Sequence, residues 1–221
     1  MTSLDGARAT PTPRASRAML RRDALVGRLI DVFLDRGFAE LSVAELAAAL
    51  RCSKSTLYSV AASREQIIVT VVRAFFRRAT DRVEAALDAV TRAGADPRDR
   101  VGAYLRAISG ELAPASPAFF ADLDAFPPAR EIYKRNTGFA VRRVQGLVRE
   151  AAPCTGADTG DDSDDSDDAD AAFVGAVAGQ VMESIHRGEI KAQTGLDDSA
   201  AYAALASLIV ARMAADRTVP T

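Results

Sequence analysis

Three serine residues that can begin helices follow one another within the first third of this chain, and their spacing restricts the folds it can adopt. A serine at a helix N-cap accepts a hydrogen bond from the amide three residues ahead, where Glu or Gln can return the bond. Ser42 and Ser63 stand three residues before Glu45 and Gln66, and Ser53 lies between them. The pattern predicts a helix of two turns, a tight turn, a second short helix and then a long one. This order is typical of a helix-turn-helix.

Apolar residues recur at helical spacing along most of the chain, which predicts an all-α fold. Ala, Leu and Arg are abundant and favour helices, whereas aromatic residues make up only 6% and Trp is absent, which disfavours a β-sandwich. We expect about nine helices, of which the first runs from Arg17 to Gly37. The others are expected near residues 42–50, 54–60, 63–94, 97–113, 117–125, 128–152, 169–192 and 198–216.

Two segments are expected to lack regular structure. Residues 1–16 contain two prolines and little apolar surface, so they are predicted to form a disordered arm. Residues 153–168 are predicted to form a flexible acidic linker. The acidic run Asp161–Asp170 is a poor calcium loop, because an EF-hand counted from Asp161 has Ser and Ala where Gly and Glu are needed. We therefore interpret the run as a solvated loop.

The charge of the chain is unevenly distributed. Residues 1–64 hold ten basic and six acidic residues, whereas residues 65–221 hold 18 basic and 24 acidic ones. The basic N-terminal end favours an anionic partner such as a nucleic acid.

The scarcity of reactive residues argues against enzymatic chemistry. The chain has one histidine, His186, and two cysteines, Cys52 and Cys154, without C-x-x-C or H-x-x-x-H spacing. It also lacks a G-x-S-x-G motif and a glycine-rich phosphate loop. We therefore expect no catalytic residues, no metal and no cofactor. Without a signal peptide or a 20-residue apolar stretch, we expect a cytoplasmic, nucleoid-associated protein with no membrane partner.

Residues 17–67 resemble the N-terminal domain of the tetracycline-repressor (TetR) family of bacterial transcriptional regulators. The resemblance lies in Leu34–Phe38 (LDRGF), Ser42–Leu50 (SVAELAAAL), Ser53–Tyr58 (SKSTLY) and Ser63–Ile67 (SREQI), in the family's order and close to its spacing. It covers about a quarter of the chain. The rest is similar only in being a helical segment of suitable length.

The resemblance implies two domains with separate roles. Residues 17–62 would form a three-helix helix-turn-helix DNA-binding domain. A long helix would join it to residues 63–221, a helical ligand-binding and dimerisation domain. The implied function is a ligand-responsive repressor that binds a palindromic operator as a homodimer. Arg51 departs from the family pattern, because it stands where glycine is common, and it must adopt a left-handed conformation.

Candidate site residues follow from the polar surface of the short helices and from this resemblance. DNA contacts are expected from Arg14, Arg17, Ser42, Ser53, Lys54, Ser55, Thr56, Tyr58 and Arg64. A pocket for an unknown, apolar or aromatic effector is expected among Phe75, Tyr104, Phe119, Phe120, Phe126, Tyr133 and Phe139. Dimer contacts are expected from Gly175, Gly179, Tyr202, Leu205, Ile209 and Met213.

Two other readings of the sequence remain open at this point. A helical small-molecule-binding protein or a protein-interaction module could have the same apolar periodicity without any function on DNA. Such a protein would lack the salt-dependent DNA affinity that counterion release gives to a regulator.

Overall fold

The computed structural model describes residues 13–151, 163–196 and 198–215, and every element in them is an α-helix. The all-α prediction is therefore confirmed for this part of the chain. The helices are α1 (Pro13–Arg36), α2 (Val43–Ala49), α3 (Lys54–Tyr58), α4 (Arg64–Arg92), α5 (Pro97–Leu112), α6 (Pro117–Ala125), α7 (Pro127–Ala151), α8 (Ser163–His186), α9 (Glu189–Thr194) and α10 (Asp198–Ala215).

Serine caps begin four of the described helices, and three of these caps were predicted; the fourth is Ser116 at the start of α6. Ser42, Ser53 and Ser63 each accept a hydrogen bond from the backbone amide three residues ahead. The side chain of Glu45 also accepts from the Ser42 amide, which completes a capping box. The second box is incomplete, because Gln66 accepts from the Ala62 amide instead of the Ser63 amide. Local sequence therefore defines the beginnings of α2, α3 and α4.

The first helix begins four residues earlier than predicted. It starts at Pro13, so residues 13–16 are helical and do not belong to a disordered arm. Proline is favoured at the first position of a helix, since its missing N–H would have no intrahelical partner there. The remainder of the predicted arm lies outside the described residues.

The predicted helix 169–192 is wrong at both ends. It is divided into α8 and α9 at Gly188, whose φ of +73° places it in the left-handed region that stops a helix. At its other end α8 already begins at Ser163, so residues 163–168 are helical and are not part of a linker. Acidic residues in a first helical turn are stabilised by the helix dipole, which favours this early start. The rest of the predicted linker, with Cys154, lies outside the described residues.

Two hydrophobic cores are joined by α4. The first core is formed by α1, α2, α3, α6 and the first half of α4, up to Phe76. The second core contains Val83 and Leu87 of α4 together with side chains of α5, α7, α8 and α10. Because α4 is continuous, a rigid element connects the N-terminal unit, which we define as α1–α3, to the C-terminal helices.

Neither a membrane-spanning helix nor a metal site is found among the described residues. None of their helices combines the length and apolarity needed to cross a membrane. Within the same ranges, no group of three or more His, Cys, Asp or Glu residues is arranged to hold a metal ion.

The turn between α2 and α3 contains the predicted left-handed arginine. Arg51 has a φ of +50° and is the one described non-glycine residue with positive φ. The turn is closed by backbone hydrogen bonds from Arg51 to Ala48 and from Cys52 to Ala47. The side chain of Arg51 is exposed, so the chain tolerates this conformation without a buried contact to compensate for it.

Replacing Arg51 by glycine should stabilise the protein. Left-handed backbone costs a non-glycine residue about 1–3 kcal/mol, and the entropy that glycine loses on folding offsets part of the gain. We expect Arg51→Gly to raise the free energy of unfolding by about 1 kcal/mol, measured by urea denaturation.

Gly94 provides the reciprocal control. Its φ is +80°, and a Cβ there would meet nothing within 4 Å, so Gly94→Ala introduces backbone strain without a clash. This variant should be destabilised by about 1 kcal/mol. A loss of stability in Arg51→Gly would contradict the argument.

Candidate nucleic-acid interface and ligand cavity

Helix α3 presents four polar side chains on the protein surface. Lys54, Ser55, Thr56 and Tyr58 are exposed, whereas Leu57 is fully buried and anchors the helix. The exposed fraction of Tyr58 reaches 47%, which is unusual for a large side chain in a folded domain. Hydroxyl, ammonium and phenol groups of this kind bind phosphates and base edges. The predicted α3 residues therefore share one accessible face.

The hydroxyl groups at the start of α3 are held in a small network. Ser53 Oγ lies 2.7 Å from Ser55 Oγ and 2.8 Å from Thr56 Oγ1, and it also accepts from the Thr56 amide. Ser42, another predicted contact, is exposed and caps α2. Its hydrogen bonds lower the pKa of Glu45, so the carboxylate of the capping box is ionised at neutral pH.

The long first helix holds the helix-turn-helix in place. Arg22 Nη2 donates to the Val60 carbonyl at 2.9 Å, and Arg28 donates to the Leu50 carbonyl. Leu50 ends α2 and Val60 follows α3, so α1 fixes a residue beside each of the two short helices. Neither arginine was predicted to have this role. Their positions on α1 gave no signal, because the acceptors are carbonyl groups of distant residues.

Arg64 does not have the position predicted for it. Its guanidinium donates to the carbonyls of Leu41 at 2.8 Å, Phe38 at 2.9 Å and Ala39 at 2.5 Å. The group is half-buried and turned towards the segment between α1 and α2. The guanidinium therefore makes a structural contact, because three carbonyl oxygens lie within reach of one planar cation.

The same segment is held from α6. Asp122 Oδ2 accepts from the amides of Phe38 and Ala39, the latter at 2.8 Å. One residue ahead of α6, the Ser116 amide donates to the Leu34 carbonyl at 2.7 Å. We define residues 37–41, between α1 and α2, as the hinge segment. It is bound by Asp122 on one side and by Arg64 on the other.

The predicted arginines of α1 are only partly described. Arg17 is exposed near the start of α1. The backbone of Arg14 belongs to the same helix, but its side chain lies outside the described residues.

A narrow cavity of about 40 Å³, partly open to solvent, lies between α4, α5 and α7. Thr80 Oγ1 and Asn136 Oδ1, both on its wall, are hydrogen-bonded at 2.9 Å. The lining residues are Phe76, Ala79, Thr80, Val83, Tyr104, Ile108, Glu111, Leu112, Tyr133, Asn136, Thr137, Phe139, Ala140 and Met182.

The aromatic residues predicted for a pocket divide into two groups. Tyr104, Tyr133 and Phe139 line the cavity. The other four pack in or against the first core and do not line it; these are Phe75, Phe119, Phe120 and Phe126. Edge-to-face contacts place them there, as between Phe75 and Phe119, whose ring centroids are 5.5 Å apart. Phe76 of α4 also lines the cavity, although it was not among the residues predicted for the pocket.

Both tyrosines of the cavity remain neutral at physiological pH. Burial raises the pKa of Tyr104, and the nearby Glu84 carboxylate raises it further. Burial and then Glu183 raise the pKa of Tyr133 in the same way. The phenol groups are therefore hydrogen-bond donors and acceptors in the cavity wall, without negative charge.

Gly175 and Gly179, which were predicted to lie in a dimer interface, face α7 of the same subunit. A Cβ at Gly175 would overlap Gln145 of α7, and a Cβ at Gly179 would overlap Val141 of α7. The small residues therefore allow α8 to approach α7 within the same subunit, because close helix packing leaves no room for a side chain there.

The predicted stripe on α10 is also largely internal. Tyr202, Leu205 and Ile209 are buried in the second core, since α10 packs against α5. The side chain of Met213 lies outside the described residues.

A different face of α8 and α10 is apolar and exposed. Phe173, Val177 and Leu208 have exposed fractions of 67%, 42% and 69%. They border a groove of about 400 Å³ that is also lined by Leu205 and Ile209. We call this surface the α8–α10 face.

Comparisons with known proteins identify the fold. A transcriptional regulator from Saccharomonospora viridis, in complex with choline, has a TM-score of 0.65 and 16% identity over 86% of this chain and 96% of that one. A TetR-family transcriptional regulator from Streptomyces coelicolor has a TM-score of 0.60 and 17% identity over 94% and 96% of the chains. The chain has the TetR-family fold. The resemblance that the sequence suggested is confirmed at this level.

Sequence comparison finds a relative that this chain matches over part of its length. The HTH-type transcriptional regulator BetI of Rhizobium meliloti (strain 1021) is 29% identical over 94 residues. The match spans 42% of this chain and 44% of BetI, which is less than half of either protein. No family model matches the chain. All three proteins are described as transcriptional regulators.

The position of Arg64 in this TetR fold predicts a stability effect. Arg64→Ala removes three hydrogen bonds from a charged donor and leaves the hinge-segment carbonyls without it. We expect the free energy of unfolding to fall by about 2 kcal/mol, because a hydrogen bond to a charged group contributes about 1.5–3 kcal/mol. Chemical denaturation followed by circular dichroism measures the change.

Lys54→Ala is the matched control, since it also removes a basic residue but from an exposed helix face. Its stability should change by less than about 0.5 kcal/mol. Equal stability of the two variants would show that Arg64 does not hold the hinge segment.

Proposed function

We propose that this chain is a DNA-binding transcriptional regulator. The observation that carries the proposal is the exposed polar face of α3 on a braced helix-turn-helix. The second helix of such a motif lies in the major groove, where its side chains contact base edges. Lys54 supplies a cation for phosphate or guanine, and Thr56 supplies a hydroxyl and a methyl group for base contact. In this assignment Arg17 and Arg14 contact flanking phosphates.

We assign Ser42 and Ser53 to contacts near the DNA backbone. Both residues begin helices, where free backbone amides and the helix dipole favour an anion. The Ser53 hydroxyl also orients Ser55 and Thr56, which bond to it. Arg64 is left out of this set because its guanidinium is engaged by carbonyl groups.

We propose further that two copies pair through the α8–α10 face. Three exposed apolar side chains on one surface are unusual for a monomer, and burying them against a second copy gains free energy from the hydrophobic effect. A two-fold dimer presents two α3 helices to two half-sites, so its operator is palindromic. This assignment replaces the glycine face predicted from sequence.

The cavity beside α4 supports ligand control of DNA binding. It is bounded by the second half of α4, and the first half of that helix packs against the N-terminal unit. The Saccharomonospora viridis protein of the same fold was solved in complex with choline. We propose that a small molecule in this cavity releases the operator, so that the protein acts as a ligand-responsive repressor.

The central proposal is tested by electrophoretic retention, in which the protein is mixed with the DNA upstream of the gene that encodes it. Lys54→Ala should weaken binding and reduce the slope of log affinity against log salt by about one, because one phosphate contact is lost. Lys134→Ala, at an exposed lysine of α7, should leave affinity and slope unchanged. No salt-dependent retention of any fragment by the unchanged protein would favour a ligand-binding module without DNA function.

The dimer proposal predicts a change of mass. Leu208→Glu places a carboxylate at an apolar contact and should convert the dimer to a monomer in sedimentation at micromolar concentration. Leu20→Glu is the matched control, since Leu20 on α1 is exposed to 68% and Leu208 to 69%. A Leu208→Glu variant that sediments like the unchanged protein would exclude this face as the interface.

A further inference from the structure

Helix α6 binds the backbone of the N-terminal unit where α1 ends. The Oδ2 atom of Asp122 accepts hydrogen bonds from the amides of both Phe38 and Ala39 in the hinge segment. The Ser116 amide, directly before α6, donates to the Leu34 carbonyl in the last turn of α1. Backbone groups on both sides of the end of α1 are therefore held by α6 and by the residue that precedes it.

Gly37 makes this close approach possible. Its φ is +73°, in the left-handed region that favours glycine. A Cβ at this position would overlap Asp122 Oδ2 and would lie 3.2 Å from the carbonyl carbon and oxygen of Ala118, in the first turn of α6. No side chain fits between the hinge segment and α6, so the contact is made by closely packed backbone.

The side chain of Phe38 fixes the same segment a second time. Its ring is buried and makes edge-to-face contacts with Phe119 and Phe126, at centroid distances of 6.1 Å and 6.4 Å. Phe119 belongs to α6, and Phe126 ends it. Because the amide and the ring of Phe38 are both held there, α6 restricts the rotation of the hinge segment as well as its position.

The orientation of α3 depends on this contact. Arg22 and Arg28 tie the two short helices to α1, so that α1–α3 form one unit. On one side this unit packs against α4, and on another side α6 holds it through Asp122. Without the α6 contact the unit can rotate against α4 while its own structure stays intact. Base contacts require a fixed orientation of the recognition helix in the major groove.

We infer that Asp122 is a positioning residue for DNA binding. Its carboxylate sets the orientation in which α3 meets the major groove, and it does so through the hinge amides without contacting DNA. This inference rests on the proposed function, because it concerns how the proposed recognition helix is presented. The role requires an acceptor oxygen at this place, which an asparagine supplies and an alanine does not.

Electrophoretic retention with two DNA fragments tests the inference on the full-length protein. The probes are the fragment upstream of its own gene and a random-sequence fragment of the same length. The ratio of the two affinities is measured, because a variant that is partly unfolded binds both fragments less and keeps the ratio. Asp122→Ala should lower the ratio about fivefold or more, since two hydrogen bonds to a charged acceptor are lost. An unchanged ratio would overturn the inference.

The salt dependence distinguishes positioning from a direct contact. Asp122→Ala removes no phosphate contact, so the slope of log affinity against log salt on the random-sequence fragment should stay the same. Lys54→Ala should instead reduce this slope by about one. A reduced slope in Asp122→Ala would contradict a role confined to the hinge amides.

Two further substitutions show whether the acceptor oxygen is what matters. Asp122→Asn keeps an oxygen for the amides, and its affinity ratio should stay within about twofold of the unchanged protein. Asp124→Ala is the matched control on the same helix, because Asp124 pairs with Arg130 and Arg187 and not with the hinge segment. Its ratio should be unchanged. A ratio as low as that of Asp122→Ala in either variant would overturn the inference.

A pair of glycine variants tests the contact with Asp122 left in place. Gly37→Ala places a methyl group against Asp122 Oδ2 and should lower the affinity ratio as Asp122→Ala does. Gly94→Ala introduces similar backbone strain where a Cβ meets nothing within 4 Å, so it should keep the ratio although it is less stable. Equal ratios in these two variants would contradict the inference.

Hydrogen exchange measured by mass spectrometry separates this inference from the proposed function. Asp122→Ala should accelerate exchange of the Phe38 and Ala39 amides, and unchanged exchange would overturn the inference without any use of DNA. If exchange accelerates and the unchanged protein prefers the upstream fragment, but Asp122→Ala keeps that preference, only the positioning role is wrong. If the unchanged protein retains neither fragment, the proposed function fails and this inference fails with it.

Discussion

The hinge segment after α1 is held by charged side chains from two helices outside the N-terminal unit. Asp122 of α6 binds its amides, and Arg64 of α4 binds its carbonyls. Donors and acceptors of the same short stretch of backbone are thus satisfied by side chains of opposite charge from two different helices. Because α2 begins directly after this segment, its orientation, and with it that of α3, depends on both contacts.

The long helix α4 connects the N-terminal unit, which carries the proposed DNA-binding residues, to the proposed ligand cavity. Phe76 belongs to the first core and also borders the cavity, where its ring packs on Tyr133. A ligand that displaces Phe76 must therefore disturb the packing that supports the N-terminal unit. Tyr133 is also 6.5 Å, between ring centroids, from Phe120 of α6, the helix that carries Asp122. The cavity is thus bordered by α4 and is linked to α6 through the contact of Tyr133 with Phe120, and such packed contacts are a requirement for coupling between sites.

The sequence predicted those parts of the fold that depend on neighbours along the chain. A serine cap needs only the residue three positions ahead, so the beginnings of α2, α3 and α4 were correct. The left-handed Arg51 was predicted from the resemblance, because it stands where the family often has glycine. Periodicity predicts that one face of a helix is buried but not which helix covers it. Gly175 and Tyr202 were therefore assigned to a dimer interface, whereas the structure packs them inside one subunit.

The ligand cavity was less predictable than the helix-turn-helix for a related reason. Polar residues on a helix suggest a solvated face unless a partner for them is known, and buried polar groups find their partners across the fold. The hydrogen bond between Thr80 and Asn136 joins residues 56 positions apart, and Glu111 meets Arg82 across 29 positions. Neither pair leaves a local pattern. Aromatic residues alone were visible in the sequence, and these cannot distinguish an apolar ligand from a cation. The place of the Glu111 carboxylate in the wall is set by the packing of α5 against α4.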